Sequence, residues 1–68
     1  MNIPKPELQD AEKKCNVLAE IGEDFSHVIE ALMLQYGASV RVQVIRPIIG
    51  GGVGPEQIIL TEVERLNI

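Results

Sequence analysis

The stretch Leu18-Ala19-Glu20-Ile21-Gly22-Glu23-Asp24-Phe25 decides how the first half of the chain folds. On both sides of it the apolar residues keep helical spacing. Leu8, Cys15, Gly22, Ile29 and Tyr36 recur every seven positions, with Ala11, Leu18, Phe25 and Leu32 in the offset register. This alternation of three and four belongs to a helix packed against other helices. One glycine inside a helix costs about 1 kcal/mol, which packing can offset, so the unbroken phase predicts one long helix, continuous or kinked at Gly22. The alternative ends a first helix at Gly22 and has Asp24 cap a second, making a helical hairpin. The long helix is the expectation, because a chain reversal preserves the phase of the seam only by chance.

Outward from that stretch, the chain reads as a single α+β domain over 1–68. Pro4 and Pro6 make 1–5 an extended arm, with Pro6 suited to a first helical turn, and the helix spans 6–36. Gly37 supplies a helix stop and Ser39 opens the next element. Val40-Arg41-Val42-Gln43-Val44 alternates with a period of two and is β-branched, which predicts a strand. Pro47 limits it or marks an edge. Gly50-Gly51-Gly52-Val53-Gly54-Pro55 reads as a loop. Beyond it, Ile58-Ile59-Leu60-Thr61 suggests a strand, whereas Ile59, Val63 and Leu66 fall at helical spacing. The β-branched content favours a strand returning antiparallel to the first, so 39–66 is expected to be a β-hairpin with its glycine loop at 50–55.

Sixty-eight residues allow one small core, and a chain this short buries only about 60% of the surface its unfolded form exposes. Disulfides, a structural metal or association are the usual supplements. With one cysteine, Cys15, and one histidine, His27, association is the supplement expected, and no metal or cofactor is. Phe25 and Tyr36 are the only aromatics, so the core must be aliphatic. No apolar run reaches the roughly 18 residues of a membrane span, and the N-terminal residues lack a secretory apolar run. A cytoplasmic location is the expectation. The net charge of −4 and the scattered basic residues disfavour nonspecific nucleic-acid binding, which needs clustered Lys and Arg.

A helix from Lys5 to Tyr36 would be about 48 Å long at 1.5 Å per residue, while a compact chain of this length has a radius of gyration of about 11 Å. Its second half, Val28 to Tyr36, is apolar on nearly every side and must be covered all round. These features predict a homo-oligomer held through the seam, with Leu8, Ala11, Cys15, Leu18, Phe25, Ile29, Leu32 and Tyr36 as its interface.

Candidate chemistry is sparse. Cys15 sits at a seam position suited to inert packing, and about 18 Å of continuous helix would separate it from His27, so the two form no dyad. Glu23 and Glu30 lie at helical spacing from His27 and would favour its protonated form, making pH-sensitive assembly conceivable. Glu20, Glu23 and Asp24, with Glu30, make the middle of the helix acidic, as a solvated face or a docking patch for a basic protein surface. The glycine run can expose backbone N–H groups to an anion. Arg46 before it and Gln57 after it complete a candidate ligand site with Gly50, Gly51, Gly52, Val53 and Gly54. No Lys-Ser or Lys-Thr follows, so it is no Walker sequence. Gly51-Gly52-Val53-Gly54 resembles the GxxG loop of KH domains over four residues, but it contains no basic residue and follows a strand where that family has a helix. No nucleic-acid function is drawn from it.

No acid–base or nucleophile constellation is present, so an enzyme is not expected. The expectation is a small oligomeric interaction protein, a regulator or inhibitor such as a phage or mobile element encodes. The alternative is a binder of small anionic ligands, nucleotides included, at subunit junctions.

Overall fold

A computed structural model describes residues 2–54 and 56–63. Its elements in chain order are α1 (Lys5–Glu20), α2 (Ser26–Tyr36), β1 (Ser39–Ile45), β2 (Ile48–Ile49), β3 (Gly52–Val53) and β4 (Gln57–Val63). The α+β class holds. The single long helix does not: the chain takes the alternative path and breaks at Gly22.

The break has a local cause. Gly22 adopts φ +73, a left-handed conformation that L side chains avoid. Its N–H donates to the Ala19 carbonyl at 3.2 Å, and the Glu23 N–H donates to the Leu18 carbonyl at 2.8 Å. This pair of bonds is a Schellman cap, which satisfies carbonyls that the end of a helix leaves unpaired. Immediately afterwards the Asp24 carboxylate accepts from the Ser26 N–H at 3.0 Å and from the Ser26 hydroxyl, forming an Asx turn that starts α2. Stop and start signals therefore lie within five residues, and their hydrogen bonds outweigh the preserved phase. With the helix broken, Glu23 also leaves the helical face that it was expected to share with His27.

β1 and β4 pair antiparallel, with Ser39 opposite Val63, Val42 opposite Leu60 and Ile45 opposite Gln57. The returning strand is thus as expected over its described part; Leu66 and the rest of 64–66 lie outside the described residues. The glycine loop is more structured than expected. β2 and β3 form a small antiparallel ladder that turns through Gly50 and Gly51, both at positive φ, as a two-residue type I′ hairpin turn requires. The Gly54 N–H closes the base on the Pro47 carbonyl at 2.6 Å. Pro55 lies outside the described residues.

α1 packs along β4 and against α2, and α2 also meets β1. The buried apolar residues are Ile3, Ala11, Cys15, Ile29, Leu32, Ile58 and Leu60. The arm contributes as well, since Ile3 is almost fully buried. Because a Cβ built on Gly22 meets nothing within 4 Å, Gly22→Ala reports on backbone conformation alone. The variant is expected to lose about 1 kcal/mol of stability in urea denaturation; in an uninterrupted helix the same change would stabilise by about 1 kcal/mol, so the sign tests the break.

Candidate functional site

The polar residues with the most organised geometry lie on α1, one position away from the apolar seam. Asn16 donates through Nδ2 to the Ile58 carbonyl at 2.9 Å and accepts through Oδ1 from the Ile58 N–H at 2.8 Å. Glu12 accepts from the Leu60 N–H at 3.0 Å. Four residues of helix advance about 6 Å and two residues of strand about 6.6 Å, so these two side chains match alternate residues of β4. Glu62 continues the arrangement, its carboxylate accepting from the N–H groups of Asn2 and Ile3 at 2.8 and 3.0 Å. The edge of β4 is thereby capped at Ile58 and Leu60 by side chains of α1, and Glu62 ties the arm to the same strand.

This fixes which way each strand's backbone points. Backbone groups alternate sides along a strand. Ile58 and Leu60 turn theirs toward α1, so Gln57, Ile59, Thr61 and Val63 turn theirs toward β1. Their partners in β1 are Ser39, Arg41, Gln43 and Ile45. Val40, Val42 and Val44 consequently aim their N–H and C=O groups away from β4, at the free edge of β1. Their side chains share the face of Ile58 and Leu60, which lie opposite Val44 and Val42. That face is unevenly covered: Ile58 and Leu60 are 0% and 4% exposed, Val42 and Val44 are 38% and 49%.

The expected oligomer seam is used inside the protomer. Ala11, Cys15, Ile29 and Leu32 are buried in its core, and Leu8, Phe25 and Tyr36 pack against them. Folding α2 back on α1 brings together the two halves of the stripe that a long helix would have offered to a neighbour. Leu18, half-buried, lines an open groove of about 390 Å³ with Lys13, Lys14, Val17, His27 and Val28. Burial, and then the nearby Glu12 charge, push the Cys15 thiol above its ordinary pKa, which disfavours the nucleophilic thiolate.

Glu20, Glu23 and Asp24 are all exposed at the turn between the helices. Asp24 is held below its ordinary pKa by the Ser26 backbone and side-chain hydrogen bonds. In the glycine segment, Gly50, Gly51 and Gly52 are exposed and Gly54 is half-buried. Val53 pairs with Ile48 in the small ladder, and Gln57 pairs with Ile45 as an exposed residue of β4. Arg46 is bound to Glu56 at 2.9 Å. That carboxylate sets a negative charge at the base of the loop, where an anion would need a free cation.

No family model matches the chain, and no curated protein or solved structure was found to be similar to it. Among the described residues, no three His, Cys, Asp or Glu side chains gather into a metal-binding group, and no helix is long and apolar enough to cross a membrane.

Glu12, Asn16 and Glu62 were not singled out in the sequence. The available signal was the i, i+4 spacing of Glu12 and Asn16 immediately beside seam residues Ala11 and Cys15, where a polar pair needs partners at the margin of the core. Asn16→Ala leaves the Ile58 N–H and C=O without their partner and is expected to cost on the order of 2 kcal/mol, with accelerated hydrogen exchange at the Ile58 amide. Glu62 sits below its ordinary carboxylate pKa of 4.5, held there by the Asn2 and Ile3 N–H groups. Its contribution is therefore present above the unfolded pKa and lost as pH falls through the lower folded value. Urea titrations at decreasing pH should show a shallower acid loss of stability for Glu62→Gln than for the parent chain.

Proposed function

We propose that this chain is a small non-enzymatic interaction protein that works as an assembly of its own copies, with a regulatory role exerted through binding. The observation that carries the reading is its uncovered surface. The chain exposes 5262 Å², whereas a compact monomer of 7.5 kDa exposes about 4,200 Å². The excess of roughly 1,000 Å² is comparable to the ~800 Å² that each partner buries in a standard protein interface. In the β2–β3 tip, which packs against no other helix or strand, Ile48 is 83% exposed. Among the described residues, exposed large apolar side chains also include Val42, Val44 and Ile45 of β1, Leu34 of α2, and Val17 and Ile21 near the end of α1. The radius of gyration, 13.5 Å, likewise exceeds the about 11 Å of a compact chain of this length.

The exposed carboxylates Glu20, Glu23 and Asp24 support a docking patch for a basic protein surface. Anion capture at Gly50–Gly54 draws less support, because Arg46 is already paired with Glu56. Catalysis draws none from Cys15, whose thiol is buried and protonated.

Sedimentation equilibrium and native mass spectrometry at micromolar concentration test the reading. A dimer or higher closed assembly is expected. A stable monomer across that range removes the reading.

A further inference from the structure

We infer that the assembly forms by antiparallel pairing of β1 with β1 of a second copy, centred on Val42, giving a four-stranded sheet in the order β4, β1, β1 of the partner, β4 of the partner. This rests on the assembly reading and specifies its interface.

The two edges of the sheet differ in kind. The outer edge of β4 is occupied by Asn16 and Glu12, whose hydrogen bonds use the Ile58 N–H and C=O and the Leu60 N–H that a further strand would need. At the outer edge of β1, no hydrogen bond from among the described residues reaches the N–H or C=O of Val40, Val42 or Val44. An open edge of β-branched residues is a template for another strand. It lacks the backbone protections of an edge strand: no proline and no bulge lie between Ser39 and Ile45, and every residue there is paired in register with β4; its one charge, Arg41, lies on the opposite face from the valines.

The identity of the occupant follows from the pattern Val40-Arg41-Val42-Gln43-Val44. A two-fold interface brings a surface against itself, so its strand must present the same character in both directions. About Val42 this strand does: Val40 meets Val44 of the other copy, and Val42 meets Val42. All three valines point their backbone groups outward and can exchange both hydrogen bonds with their opposites. On the other face, Arg41 comes opposite Gln43 of the second copy, whereas centring on Arg41 would set two like charges directly opposite each other, which is disfavoured. The pairing also joins the half-covered valine stripes of the two copies, with α2 of each copy, packed against its own β1, flanking the shared stripe.

Two sets of variants test this. Val42→Lys places a charge on the half-exposed inward face of the edge and is expected to shift the assembly to monomer at concentrations where the parent chain is associated, with circular dichroism reporting the fold. The second set does not depend on that variant folding. Opposed Cα atoms in such a hydrogen-bonded pair lie about 5.5 Å apart, within disulfide range, so Val42→Cys should give a disulfide-linked dimer on mild oxidation. Val40→Cys and Val44→Cys should each fail alone and cross-link when mixed. Buried Cys15 should stay unreacted throughout. An assembly that persists in Val42→Lys, together with a Val42→Cys variant that stays unlinked on oxidation, overturns this interface while the assembly reading stands. A parent chain that is monomeric at all concentrations, including one whose β1 edge is taken by a different protein, overturns both.

Discussion

The contact on which the rest of the structure depends is the hydrogen bonding of Asn16 and Glu12 to the backbone of β4. An isolated two-stranded hairpin is marginal in water, and α1 has no partner until its stripe is covered. The side-chain amide of Asn16 offers Ile58 the same donor and acceptor that a neighbouring strand would. It therefore sets the register of helix against strand and brings Cys15 and Ala11 over Ile58 and Leu60. Once α1 is seated this way, α2 can cover it only by turning back at Gly22, and Ile29 and Leu32 then complete the core.

That arrangement is lopsided. β4 has a helix along its edge and apolar cover over its face, while β1 has an edge that no described residue bonds and a partly bare face. The imbalance arises because two short helices cannot cover both strands, and the seven buried apolar side chains among the described residues make a small core. The exposed carboxylates sit at the interhelical turn, and the Arg46–Glu56 pair lies at the base of the β2–β3 tip, directly after β1.

Several elements were legible because their signals are local. The alternation of Val40 to Val44, the β-branched run from Ile58, the stop at Gly37 and the apolar seam depend on residues close in sequence, and each appears where its pattern placed it. The break at Gly22 was legible only as one of two readings. A heptad phase that survives a glycine is compatible with a helix that continues and with one that folds back so that both halves of the stripe face the same core. The positions Leu8 to Tyr36 were recognised as a packing surface, but what they pack against is the protomer itself.

The sequence by itself determined the α+β class, the strand pair, the aliphatic core and a chain too short to bury much of itself, because periodicity, β-branching and length act through neighbouring residues or through composition. Only the tertiary structure decided that the helix breaks, that Asn16 and Glu12 close one edge of the sheet, and that the Val42 edge stays open. The state of the two edges depends on hydrogen bonds between residues more than forty positions apart, such as Asn16 with Ile58, and no local pattern encodes which edge a distant helix will cover; the break rests on local bonds at Gly22 and Asp24, but the same seam phase also fits a continuous helix.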